Sequence, residues 1–403
     1  MKILGIIAEY NPFHLGHRYH IQQAKNQIDA QAVIVIMSGH FTQRGEPAIF
    51  DKWSRAEMAL NNGADLVFEL PFAFASRSAN YFALGAILSL AKTNLVTHVA
   101  FGCEEENLAH LQTISQLLAD EPPAYQQQLK HFLQLGHSFA KAQQMAITSF
   151  IPDLSMNLNQ PNTLLALNYL QIIQMNQLAL TPIAIARQGH YHSQALNEGF
   201  ASATAIRQLI LNEHWAALQG HIPANCLPII QNEIFKKHGP ISLENYAPAI
   251  FTLLRRTSAA ELSNIHDISE GLENRFIQAA KQYSTLQSLC LRIKSKRYPY
   301  TRIQRALIHI LMNYHKGLEF TQPEYLRVLG FNSVGQQLLK QLQKTSDLPL
   351  ITKITQSYHQ LSSKGQQMLD LDIRATDLYS INYSPMDAKS GHDYYQNPLR
   401  ILP

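Results

Sequence analysis

Along the first two hundred positions, short apolar runs alternate with longer segments whose apolar residues recur at helical spacing. Runs at residues 3–8 (ILGIIA), 33–37 (VIVIM), 65–70 (DLVFEL), 96–101 (VTHVAF) and 183–186 (IAIA) read as strands. They are continuous rather than alternating, the pattern of parallel strands covered by helices on both faces. Between them, residues 15–26, 52–62 and 79–91 have the length and composition of helices, and residues 107–156 read as a helical, Gln-rich elaboration. After Arg207 the strand signal fades. Residues 210–380 are mostly helical in pattern, punctuated by Pro and Gly at 222–228 and 238–240. The pattern predicts an α/β domain over residues 1–210 and a mainly helical second domain over 211–403.

Composition adds limits. A chain of 403 residues, 46% hydrophobic and 15% charged, can bury two cores. No apolar stretch approaches the roughly eighteen residues that span a bilayer, and the run after Met1 is too short for a signal-peptide core. No membrane partner is expected, no protein partner is implied, and a cytoplasmic location is the default. Cys103, Cys226 and Cys290 form no CxxC pair, so they read as buried or incidental thiols rather than a disulfide framework or zinc site. The net charge of +4 says little by itself.

The candidate chemistry begins where the first strand ends. AEYNPFHLGHRYH, residues 8–20, sets His14, His17 and His20 at the strand's C-terminal end and in the first turn of the following helix. In open parallel sheets that crevice binds ligands, and a helix N-terminus offers N–H groups and partial positive charge to phosphate. His14 and His17, three apart, share one side of the turn, and Gly16 admits a phosphate to the backbone. Imidazole donors that strengthen as charge develops on phosphoryl oxygens suit in-line attack at phosphorus without a covalent intermediate. Further along, Gly102 ends the fourth strand, Arg187 follows the fifth, and Arg207 lies in a helix's first turn. Either arginine neutralises a triphosphate or is a surface residue. Asn162 hydrogen-bonds a base or caps a helix.

NPFHLGH resembles the HxGH signature of the nucleotidyltransferase superfamily, and ASATAIR (residues 201–207) resembles its second signature, a Ser/Thr-rich turn that opens a helix and carries a basic residue. MSGHFTQRGEPAIFDKWSRAEMAL, GADLVFELP, FGCE, QPNTLLALNYL, ARQGHYH and EGLENR extend the likeness. Together they resemble the tRNA(Met) cytidine acetate ligases from residue 1 to beyond 300. The resemblance implies a Rossmann-like nucleotidyltransferase parallel sheet with a C-terminal mainly helical domain. It implies ATP as substrate with Mg2+ held by phosphates and no protein metal ligands, and acetate and elongator tRNA(Met) as partners. The implied reaction makes acetyladenylate and acetylates N4 of the wobble cytidine.

Carried over, the family's ATP contacts fall on Ile7, Ala8, Glu9, Tyr10, Asn11, Pro12, Phe13, His14, Leu15, Gly16, His17, Arg18, Tyr19 and His20, on Gly102, Asn162 and Arg187, and on Ser202, Thr204 and Arg207, with His14 and His17 catalytic. His40 stands in SGHF where the family has SGNF, and Thr163 and Ala166 stand in PNTLLA where it has PNNILG; both nucleotide signatures are intact.

Two more clusters carry charge. In SGHFTQRGEPAIFDKWSRAEM, beyond the second strand, His40, Arg44, Lys52 and Arg55 are placed to close over acetate or phosphate, with a solvated loop and helix face as the plain alternative. Residues 281–305 carry seven Lys or Arg and no Asp or Glu, with Tyr283, Tyr298 and Tyr300 interleaved. Arg292, Lys294, Lys296, Arg297, Arg302 and Arg305 thus read as an RNA-binding tract with rings for unpaired bases, against a solvated helix face.

Three other functions compete. An adenylyltransferase for a small phosphorylated metabolite shares both signatures but needs neither the helical half nor the basic tract. A metal-dependent hydrolase built on His14, His17 and His20 lacks the carboxylate or cysteine set of such sites. A silent RNA-binding protein would not need the intact histidine pair.

Overall fold

The computed structural model describes residues 1–104, 107–137, 139–151, 160–187 and 201–402. Its described strands are β1 (Ile3–Ala8), β2 (Ala32–Ser38), β3 (Leu66–Leu70), β4 (His98–Cys103), β5 (Thr181–Ala186), β6 (Leu326–Asn332), β7 (Leu350–Ile351) and β8 (Leu399–Ile401). They form one sheet in the order β5-β4-β1-β2-β3-β6-β7, with β8 beside β6. The first five run parallel, each lying within one or two residues of an apolar run in the sequence. Asp65, at the edge of the third run, stays outside its strand because its carboxylate accepts from Val33 N at 2.8 Å and Asn332 Nδ2 at 2.8 Å.

Alternate strand residues explain why the runs are continuous. Leu4, Ile6, Val33, Val35 and Met37 join one apolar layer, while Ile3, Ile34, Ile36, Leu66 and Phe68 join the other. Helices Leu15–Ile28, Lys52–Leu60 and Ala79–Ala91 supply the crossovers, as read from the sequence. The elaboration consists of helices Leu108–Asp120, Pro123–Gln134 and Phe139–Phe150, followed by Pro161–Met175 beside Ala79–Ala91; residues 152–156 lie outside the described residues. No described helix is long and apolar enough to cross a membrane. The three cysteines are buried and form no disulfide with one another.

The strand signal does not end at Arg207. Helices including Ala247–Arg256, Leu272–Gln282, Leu286–Ile293 and Tyr300–Met312 pack together, but the chain then returns to the sheet. β6 pairs antiparallel with β3 and extends it with β7 and β8. The sequence hides β6 because Arg327 interrupts its apolar run. Arg327 is buried and is neutralised by partners far along the chain: Glu69 at 3.1 Å and Asp393 at 2.8 Å. The second half is therefore mainly helical but shares the sheet and core of the first.

Lys52 joins the same buried cluster, with Nζ 2.8 Å from Glu69, 3.0 Å from Asp393 and 3.1 Å from Thr376 Oγ1. This corrects its reading as a phosphate contact, because all its charge is spent locking helix Lys52–Leu60 to β3 and to the C-terminal helices Ser363–Ser380 and His392–Tyr395. His40 is also buried, with Nδ1 3.2 Å from Thr376 Oγ1 and its ring 4.4 Å from that of Tyr379.

Candidate functional site

The C-terminal ends of β1, β4 and β5 open into a cleft of about 280 Å³. It lies where strand order reverses, since β1 is flanked by β2 on one side and β4 on the other. The chain leaves β1 through Tyr10, held at φ 46. That left-handed turn directs Asn11 so that its Oδ1 accepts from Ile49 N at 2.7 Å and its carbonyl from Arg207 Nη1 at 3.1 Å.

The next turn is built from imidazoles. His14 is the N-cap of helix Leu15–Ile28, and its Nδ1 accepts from Gly16 N at 3.1 Å. The Nδ1 of His17 accepts from His14 N at 3.3 Å, completing a capping box in which histidines replace the usual Ser and Glu. The two rings stack with centroids 3.7 Å apart, and the Tyr10 ring meets His17 edge-on at 4.8 Å. Burial first, then the charges of Arg187 and Arg207, lowers His14 to about 3; burial and His14 hold His17 well below its ordinary range. Both are thus neutral at pH 7. Because each Nδ1 accepts a hydrogen bond, each proton sits on Nε2, and the cleft is lined by two fixed N–H donors. His20, also lowered, to about 4, lines the cleft with Nε2 buried and without a hydrogen bond among the described residues.

One expectation fails here. The first-turn N–H groups of this helix are not free: Leu15 N donates to His221 O at 3.0 Å, Gly16 N to the His14 ring, and His17 N and Arg18 N to His14 O. Only the helix dipole and the imidazoles remain for an anion. The second signature supplies what the first does not. Ser202 caps helix Ala203–Leu211 by accepting from Ala205 N at 3.1 Å. Among the described residues, no hydrogen bond engages the N–H groups of Ala203 and Thr204, which line the cleft. Arg207 stands beside them, 3.2 Å from Thr204 Oγ1 and only loosely paired with Glu46 at 3.5 Å. Such an arrangement is suited to receive an anion.

Of the remaining carried-over positions, Ile7, Ala8, Glu9, Tyr10, Asn11, Gly16, Tyr19, Gly102, Asn162, Arg187, Ser202 and Thr204 line the cleft, whereas Pro12, Phe13, Leu15 and Arg18 do not. Pro12 and Phe13 are buried in the turn, and Arg18 faces solvent. The atoms nearest to a Cβ at Gly102 belong to the Arg187 side chain, the first at 3.4 Å, so packing among the described residues does not demand glycine there. Asn162 neither caps its helix nor stands free. Its Nδ2 donates to Glu104 at 2.6 Å, and the same carboxylate takes Thr163 N and Oγ1. Thr163 and Ala166 are buried off the cleft. Of ARQGHYH, residues 188–192 lie outside the described residues.

The loop beyond β2 divides. Arg44 lines the cleft, but His40, Lys52 and Arg55 do not. The Arg55 guanidinium is buried and committed to carbonyls of Phe50, Asp51, Glu9, Ser38 and Gly39. It shapes the strand ends at the cleft mouth through the backbone and does not itself line the cleft. Gln43 and Glu46 of the same loop line it too, as does an apolar wall of Phe82, Phe101, Leu165 and Tyr169 that the sequence reading missed. The cleft therefore has a cationic side and an apolar side, the division a nucleotide requires.

The basic tract is smaller than it reads. Arg292, Lys294, Lys296 and Arg297 are exposed. Arg305 instead pairs with Asp267 at 2.8 Å, and Arg302 donates to Glu270 at 3.3 Å and Ser269 at 2.7 Å. Tyr298 is buried, its hydroxyl bound to the Glu270 carbonyl, so its ring is closed to a base. The acidic partners lie outside the tract.

Known proteins share this architecture. The family described as HIGH Nucleotidyl Transferase matches residues 1–393. The tRNA(Met) cytidine acetate ligase of Thermoanaerobacter sp. (strain X514) is 42% identical over 388 residues, 95% of this chain and 96% of that one. The ligase of the same name from Caldanaerobacter subterraneus subsp. tengcongensis is 40% identical over the full length of both. Crystal structures of Thermotoga maritima TmcAL superpose with TM-scores of 0.95 for the apo form and 0.93 for the form bound with alpha-thio ATP, at 32% identity and full coverage of both chains.

Proposed function

The chain belongs to the HIGH nucleotidyl transferase family and, within it, to the tRNA(Met) cytidine acetate ligases; from that premise we propose how its cleft carries the reaction. The enzyme joins acetate to the wobble cytidine of elongator tRNA(Met) at the expense of ATP. An acetate oxygen attacks the α-phosphorus, pyrophosphate leaves, and acetyladenylate forms. The exocyclic N4 amine of cytidine then attacks the acetyl carbonyl, releasing AMP and a proton and leaving N4-acetylcytidine.

The observation that carries this reading is the stacked pair His14 and His17, whose engaged Nδ1 atoms fix both Nε2–H groups as donors to the cleft. Neutral, preorganised donors bind an oxygen more strongly as it gains charge, which lowers the barrier rather than only the ground state. Arg207 with the Ala203 and Thr204 N–H groups receives the β- and γ-phosphates, Arg187 and Arg44 add positive charge, and the wall of Phe101 and Tyr169 receives the base. Mg2+ accompanies the nucleotide on phosphate oxygens and water. The cleft carboxylates leave that role to the phosphates, since Glu9 is engaged by Gln43 N and Glu46 by Arg207 and Gln304.

The exposed cations Arg292, Lys294, Lys296 and Arg297 offer phosphate contacts to tRNA. A link to the cleft supports this placement, because Gln304, in the helix Tyr300–Met312 that closes the tract, donates to Glu46 at 3.0 Å, and Gly45 presses against the Arg305 backbone so closely that a Cβ would clash at 2.2 Å. A substrate of this kind places the enzyme in the cytoplasm. Isotope exchange tests the first step. Protein, ATP and Mg2+ should incorporate labelled pyrophosphate into ATP only when acetate is added, and exchange indifferent to acetate would refute it.

A further inference from the structure

A second cluster lies away from the cleft. Asp51, Glu233 and His238 each present one ligand atom within 4.8 Å of the others, and none of the three lines the cleft. They come from three places: the N-cap of helix Lys52–Leu60, helix Leu227–Phe235, and the turn after it.

The geometry points to a single Zn2+ ion bound by a carboxylate oxygen of Asp51, Oε2 of Glu233 and Nδ1 of His238. Each donor has a free atom. Asp51 uses Oδ1 for capping, accepting from Ser54 N at 2.7 Å and Ser54 Oγ at 2.9 Å, while Oδ2 makes the long contact to Tyr383 OH at 3.4 Å and the carboxylate also faces that of Glu233. Glu233 is 5% exposed, and its Oε2 has no hydrogen bond among the described residues. Oε2 lies 3.6 Å from His238 Nδ1. Two ligands about 2.1 Å from a tetrahedral ion are separated by roughly 3.4 Å, so this edge needs little adjustment.

The surroundings fit as well. The other nitrogen of His238, Nε2, lies 3.3 Å from Asp387, which is itself held by Ser384 Oγ at 2.9 Å. A carboxylate on the distal nitrogen orients a metal-bound imidazole and fixes its tautomer. The Tyr383 ring stacks on the imidazole at 4.1 Å and 18°, holding its plane. Lys236 Nζ stands 3.7 Å from the other Glu233 oxygen, so one cation already flanks the site without filling it. A mixed imidazole and carboxylate set favours zinc over magnesium or calcium, and water would supply the fourth ligand. The competing occupant is a proton shared by Asp51 and Glu233, for burial and the Asp51 charge push the Glu233 carboxyl up to about 8.

The test uses the full chain, stripped with EDTA and dialysed. Zn2+ is titrated against a chromophoric chelator, and melting is followed with and without Zn2+. The wild type should bind one equivalent and melt higher with Zn2+. Asp387→Asn should weaken binding about 10- to 100-fold, and His238→Ala should weaken it further. Glu233→Gln, which keeps shape and hydrogen bonding, should fold but lose the zinc-dependent rise. A wild type with no such rise, an equal rise in Glu233→Gln, or unchanged affinity in His238→Ala overturns the site. A Glu233→Gln protein that melts above the metal-free wild type while neither responds to Zn2+ assigns the place to a proton.

Discussion

Replacing His14 with Asn separates the two jobs of that side chain. The ring holds the N-cap through Nδ1, 3.1 Å from Gly16 N, and offers Nε2–H to the cleft. Asparagine places an acceptor where Nδ1 was and is among the best N-caps, but it has nothing at the position of Nε2. Stability should therefore stay within about 0.5 kcal/mol of wild type, whereas His14→Ala loses the cap and costs about 1 kcal/mol. Catalysis should respond differently. Losing one preorganised donor costs about 2.7–4 kcal/mol of transition-state stabilisation, a hundred- to thousandfold in rate, in both variants. Acetate-dependent pyrophosphate exchange reads the rate and a thermal melt reads the cap. Near wild-type exchange by His14→Asn would refute the donor role, and equal destabilisation by both substitutions would refute the capping role.

Other outcomes follow from the buried charges and the tract. His14 and His266 are buried and lowered to about 3 and 4, so the unfolded chain binds their protons first. Stability should fall as pH drops from 6.5 toward 4, by at most about 1.4 kcal/mol per pH unit for each histidine, as urea melts across that range would register. Asp393→Ala leaves the two buried cations Lys52 and Arg327 sharing Glu69 alone and should cost about 3–5 kcal/mol in urea melts, with the ATP KM of the folded fraction unchanged; a weakened KM with intact stability would restore Lys52 as a phosphate contact. Lys294, Lys296 and Arg297 to Ala together should weaken tRNA binding and lower its salt slope by about 1 per lost phosphate contact, without changing ATP affinity, in filter binding at several salt concentrations.

The sequence exposed what is local and hid what is distant. β1 to β5 were legible because strands buried on both faces must be apolar throughout, and His14, His17 and Arg207 because their turns are encoded within a few residues. β6 escaped because its buried Arg327 looks polar until Glu69 and Asp393 are known to face it. The same ignorance of partners made Lys52, Arg55, Arg302 and Arg305 look like ligand contacts. A charge beside a strand end or in a basic run reads alike whether it meets a phosphate, a carbonyl or a distant carboxylate. The apolar wall could not be told from core, since Phe101 and Tyr169 have the composition and spacing of any buried face. Glu104 was missed for a different reason: it caps helix Pro161–Met175 from another element, leaving Asn162 as the visible candidate.

Formation of acetylcytidine is the most direct test of the ligase activity. Purified protein should be incubated with ATP, Mg2+, acetate and elongator tRNA(Met), and the digested RNA analysed by mass spectrometry. The expected result is N4-acetylcytidine at the wobble position with one AMP and one pyrophosphate released per acetyl transferred, and none on a transcript with uridine there, which has a carbonyl in place of the amine. Absence of acetylcytidine from the cytidine-bearing tRNA at every acetate concentration, with nucleotide still turned over, would contradict it.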